Sequence, residues 1–94
     1  MPNGWDSAAQ ACSEAFVFDQ IIQRGGEGFV PERVASLPSD MASAAGLAAD
    51  ANSEYDQLYF LIRQLVNAIE QEDQSGVLDL VAVEGECQQL GLAP

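Results

Sequence analysis

The sequence predicts an all-α protein, a four-helix antiparallel (up-down) bundle in a single domain over residues 1–94, with 1–6 as an N-terminal extension. Three observations lead there. Apolar residues recur every three or four positions along most of the chain, the spacing of one helix face. The connections are short and marked by glycine or proline, and helices joined by short loops pack as antiparallel neighbours. Hydrophobic residues make up 48% of the chain, so a core is available even at a net charge of −12.

The first helix is expected to start at Ser7, whose hydroxyl stands at capping-box spacing from Gln10, and to close at Gly25–Gly26. Ala8, Ala11, Cys12, Ala15, Phe18 and Ile22 share one of its faces, and Asp19 is the discordant carboxylate on that face. Residues 27–30 read as a loop whose Phe29 and Val30 fold back on the core. The second helical region begins near Pro31, with a break expected before Pro38, because proline is at home only in a helix's first turn. Val34, Leu37, Met41, Ala44, Ala48 and Ala51 form its narrow seam, and the alanines permit close approach of a neighbour. Asn52 or Ser53 caps the third helix, expected to run to Glu72, where Tyr55, Leu58, Tyr59, Ile62, Leu65, Val66 and Ile69 form a wide apolar stripe. A turn at 73–76 leads to the last element, Val77 to Leu90, with Leu80, Val83, Cys87 and Leu90 on one helical face. The β-branched run at 77–83 keeps a strand open as the alternative.

Composition excludes several functions. Three arginines and no lysine stand against fifteen acidic residues. Arg24, Arg33 and Arg63 cannot assemble a phosphate-neutralising patch, which argues against nucleic acid as a partner, and an anionic membrane surface would repel the chain. Without histidine the commonest general base and metal ligand is missing, and without lysine Schiff-base chemistry is unavailable. No cofactor or metal is expected. Core packing accounts for Met41, Tyr55 and Tyr59 better than haem ligation. Setting Gly76 at the glycine of a calcium loop puts Gln71 at the first ligand position and Ala82 where a bidentate Glu is required, so that template fails.

Four features bear on function. Cys12 and Cys87 lie on the core faces of the first and last helices, neighbours that run antiparallel in such a bundle. A bridge between them would tie the termini together; two buried thiols are the alternative. Glu70, Glu72 and Asp73 gather at the C-terminal end of the third helix, the negative end of its dipole, where each costs about 0.3–1 kcal/mol. That placement suits contact with a basic partner, or else is a solvated acidic face. Phe60 points away from the apolar stripe, among Arg63, Gln64 and Asn67, either as a lone exposed aromatic of the ordinary kind or as an interface anchor. Asp19 needs a partner in its core-facing position, with Arg63 or Arg33 as candidates for a buried ion pair.

An early Ala-Cys in an alanine-rich helix, an alanine-rich hairpin and a late Cys87-Gln-Gln-Leu-Gly-Leu together resemble small cysteine-bridged extracytoplasmic helical domains and lipoproteins of actinobacteria. The resemblance implies secretion or surface attachment and a structural disulfide, and carries no site residues. The expected function is therefore a non-enzymatic acidic protein-binding module, extracytoplasmic if Met1 replaces a removed leader. Its expected contacts are Phe60, Arg63, Asn67, Glu70, Glu72 and Asp73. The alternative is a cytoplasmic or phage-encoded acidic inhibitor, an immunity protein or nucleic-acid mimic that blocks a basic partner.

Overall fold

The computed structural model describes residues 4–25, 31–71, 73 and 76–92, without the side chains of residues 31, 33 and 34. Four helices follow one another: α1 (Trp5–Gln23), α2 (Pro31–Ala51), α3 (Asp56–Glu70) and α4 (Gly76–Gln89), with a 3₁₀ turn at Ser53–Tyr55 leading into α3. α1 packs on α2, α2 on α3, α3 on α4, and α4 returns to α1, closing the ring. Gly4 at the start of α1 meets Ala48 near the end of α2, and Gly46 in α2 meets Tyr59 early in α3. Cys12 early in α1 meets Cys87 late in α4. Each pair places the beginning of one helix beside the end of another, the antiparallel arrangement expected from the short connections.

The core runs along the bundle axis through Ala8, Cys12, Ala15, Met41, Ala48, Leu58, Ile62, Leu65, Val83 and Cys87, all fully buried. The alanine seam of α1 and α2 lets these helices approach closely, while α3 supplies most of the large side chains. Cys12 and Cys87 are placed as a disulfide, with Cα atoms 5.9 Å apart, inside the range such a bond spans.

Several boundaries differ from expectation, each for a tertiary reason. α1 begins at Trp5 rather than Ser7, so two residues of the expected extension are helical. Its first backbone hydrogen bond runs from the Ala8 N–H to the Gly4 carbonyl. Gly4 stands at φ +88° with its Cα hydrogens against the Ala48 carbonyl, where a Cβ would lie 2.8 Å from that oxygen. Packing on α2 thus outweighs the local cap at Ser7. α2 shows no break before Pro38, which stands inside a continuous helix. Leu37 and Met41, fully buried around it, hold the two halves in line against the roughly 3 kcal/mol that an internal proline costs.

The buried face of α1 is also turned relative to its apolar stripe. α1 packs more extensively on α2 than on α4; Ile21 and Glu14 are buried while Ile22 is 45% exposed. Ala51, at the end of the α2 seam, is exposed. α3 stops at Glu70, and the Asp73 N–H closes its end on the Ala68 carbonyl. The 77–83 run is helix, not strand. α4 ends at Gln89 and closes at Gly91, φ +75°, with the Leu92 N–H donating to Cys87 O and the Gly91 N–H to Gln88 O. This paired closure turns the chain back and buries Leu92 beside the disulfide. Phe29, Val30 and the Val34 side chain lie outside the described residues.

Candidate functional site

Four of the six residues singled out as partner contacts line one open groove. It runs between α2 and α3, has a volume of about 530 Å³, and is bordered by Phe60, Arg63, Asn67 and Glu70 from α3 and by Ser39 and Ala42 from α2. The four α3 residues recur at three- and four-residue spacing and so project from one side of the helix. Phe60 is 55% exposed. Its neighbours on the opposite side, Leu58 and Ile62, are fully buried, which fixes the rotation of α3 and leaves the phenyl ring no place in the core.

Arg63 occupies the middle of the surface. Its guanidinium lies 5.8 Å from the centre of the Tyr59 ring and donates to the Tyr59 hydroxyl at 3.4 Å. The Tyr59 ring in turn rests against Gly46 of α2, 3.4 Å from where a Cβ would stand. Tyr59 therefore braces the arginine from below, and both border a second hollow of about 470 Å³ with Leu47 and Asp50 of α2. Leu47, 63% exposed, is a contact candidate that the sequence reading passed over. The only available signal was a leucine lying off the Leu37–Ala48 seam. The joined surface thus offers two exposed apolar groups, one arginine at its centre, and the carboxylates Asp50 and Glu70 farther out.

The acidic turn is only partly in view. Glu70 and Asp73 are exposed, and Glu72 lies outside the described residues. Asp73 shares a hollow with Asn67 and with Asp79 of α4, around the corner from Phe60. The last turn of α3 holds no basic side chain, so the negative helix end and the carboxylates reinforce one another.

The expected Asp19–Arg63 ion pair does not match the structure. Arg63 is engaged with Tyr59 on the α2/α3 side, whereas Asp19 is half-buried between α1 and α4, facing Glu84. Burial, a hydrogen bond to Asp19 and repulsion from its charge raise Glu84 from 4.5 to about 7. Asp19 is thus met by the partly protonated carboxyl of Glu84 rather than by Arg63; the Arg33 side chain lies outside the described residues. The one buried carboxylate among the described residues is Glu14, which accepts a hydrogen bond from Gln10 Nε2 at 3.0 Å. One helical turn separates them, a pairing whose burial is legible only once that flank of α1 is known to be covered.

No group of three or more metal-ligating side chains occurs among the described residues, and no described helix is long and apolar enough to cross a membrane. Comparison of the chain with protein-family models, curated proteins and solved structures finds no match.

Proposed function

We propose that this protein is a non-enzymatic acidic binding module, secreted or surface-attached, that docks a protein partner on the α2/α3 surface. The observation that carries the reading is the placement of Phe60, a large exposed aromatic, at the edge of an open groove with Arg63, Asn67 and Glu70. Aromatic residues, phenylalanine included, and arginine are both enriched at protein interfaces relative to the rest of the surface. Asp50 and Glu70, together with the net charge of −12, favour a partner with basic groups around an apolar contact. The Cys12–Cys87 bridge supports an oxidising compartment, because structural disulfides are rare in reducing ones. The cytoplasmic-inhibitor alternative rests on charge alone and predicts two alkylatable thiols in protein isolated without reductant.

The test is site-specific photocrosslinking in the source organism, with the reactive group at Asn67 and, as control, at Ser13 on α1. A discrete adduct from Asn67 but not Ser13 is expected, diminished at least tenfold by Phe60→Ala. Melting should be unchanged, since surface truncations usually stay within about 0.5 kcal/mol. Equal adducts from the two positions, or no effect of Phe60→Ala, would refute the assignment.

A further inference from the structure

The outward side of α4 reverses the usual order of a surface helix. Its three carboxylates, Asp79, Glu84 and Glu86, are half-buried along the flanks. Its most exposed large side chains are instead Val77, Leu78 and Val81, at 57%, 73% and 59%. With about 3.6 residues per turn, these three share with Ala82 and Gly85 the half of the helix opposite buried Leu80, Val83 and Cys87. Gln88 and Gln89 lie on that half as well and Glu86 stands at its border, so only the middle of the face is without charge in a chain of net charge −12. A helix apolar on both sides is normally covered on both. Ile22, exposed at the end of α1, borders the same apolar recess as Val77 and extends the patch across the α1/α4 seam.

We propose that this face of α4 is a second docking surface, distinct from the α2/α3 groove, for an amphipathic helix of another protein whose apolar stripe is flanked by lysines or arginines. Charge complementarity selects this occupant. Asp79 and Glu86 run along the α3 side of the face, and Glu84 and Asp19 along the α1 side. In sequence, α1 and α4 contain no basic residue, and Arg24 lies just past the end of α1. A guest with basic flanks therefore meets carboxylates on both edges. Ala82 and Gly85 lower the surface in the middle, letting a guest helix approach at the 8–10 Å typical of close packing. A second copy of the chain fits poorly, because it would bring acidic edges against acidic edges.

The probe is a fluorescein-labelled synthetic helix with a leucine stripe and arginine flanks, titrated with the intact protein and followed by anisotropy. Two control peptides carry glutamate flanks or a serine stripe. Saturable binding of the first peptide alone is expected, weakened at least tenfold by Leu78→Asp/Val81→Asp and unaffected by Phe60→Ala. The double variant adds negative charge, so weaker binding of a basic peptide cannot be electrostatic in origin, and its melting curve reports that the fold is kept. Binding that survives the double variant, or that the glutamate-flanked peptide shares, overturns the proposal. Loss on Phe60→Ala instead would seat the peptide in the α2/α3 groove, overturning this proposal while leaving the first reading standing. A dimer in sedimentation that Leu78→Asp/Val81→Asp dissolves would make a second copy the occupant, and would equally overturn it.

Discussion

Breaking the Cys12–Cys87 link should remove a large share of the stability of this domain. The bridge joins residues 75 positions apart, nearly the whole chain. In the chain-entropy treatment, closing a loop of that size restricts the unfolded state by about 4–5 kcal/mol. Small domains have only about 5–15 kcal/mol in total, so the reduced chain should lie close to the folding threshold. At 4–8 °C per kcal/mol for this size, the melting temperature should fall by about 16–40 °C. The assay is urea unfolding of the oxidised protein, of the same protein in reductant, and of Cys12→Ala/Cys87→Ala. The reduced protein keeps both sulfur atoms and so isolates the cross-link. The double variant also empties two fully buried positions, adding about 1 kcal/mol for each group removed. The oxidised form should also unfold with the smaller denaturant slope, because a linked unfolded chain exposes less surface. Oxidised and reduced proteins within about 1 kcal/mol of each other would refute the entropic reasoning. Quantitative alkylation of both cysteines without reductant would show that the link is not made.

Glu84→Gln should stabilise the protein above neutral pH and leave it unchanged near pH 4.5. Glu84 holds its proton up to about pH 7 in the folded chain against an ordinary value of 4.5, so the native state binds more protons between those values. The group's contribution is complete below 4.5, is lost as pH rises through 7, and is constant above that. Discounted for its partial exposure, the gain at pH 8 is on the order of 1 kcal/mol; an identical difference at pH 4.5, 6 and 8 in urea titrations would show that Asp19 and Glu84 are not coupled. Gly4→Ala should cost about 2–3 kcal/mol, from the left-handed backbone and from the contact with the Ala48 carbonyl. A thermal melt within 2 °C of the parent would mean that the first turn of α1 contributes little to the packing against α2.

Much of the fold can be read from residue spacing. The stripe of α3 is wide and periodic, and Leu58, Ile62 and Leu65 are buried as that period requires. Asn52 accepts the Glu54 N–H at 3.0 Å, a capping role that an asparagine ahead of an apolar stripe announces. The same wheel that buries Ile62 turns Phe60 outward, which is why the α3 side of the groove was visible without coordinates. Its α2 side was not, because Ser39, Ala42 and Leu47 carry no periodic signal of their own. α4 was the least legible element, since an apolar run across 77–83 has no polar face to reveal which side meets the core.

By itself the sequence determined the first three helices and the order of the elements, the core-facing positions of the cysteines and the acidic character of the surface. These depend on local period and composition, which neighbours in the chain are enough to define. Only the tertiary structure decided that Gly4 starts α1, that Asp19 faces Glu84 rather than Arg63, and that Val77, Leu78 and Val81 lie on the outside. Each of these is set by how one helix is rotated against another. That rotation follows from the summed packing of four helices, a quantity no single helix encodes.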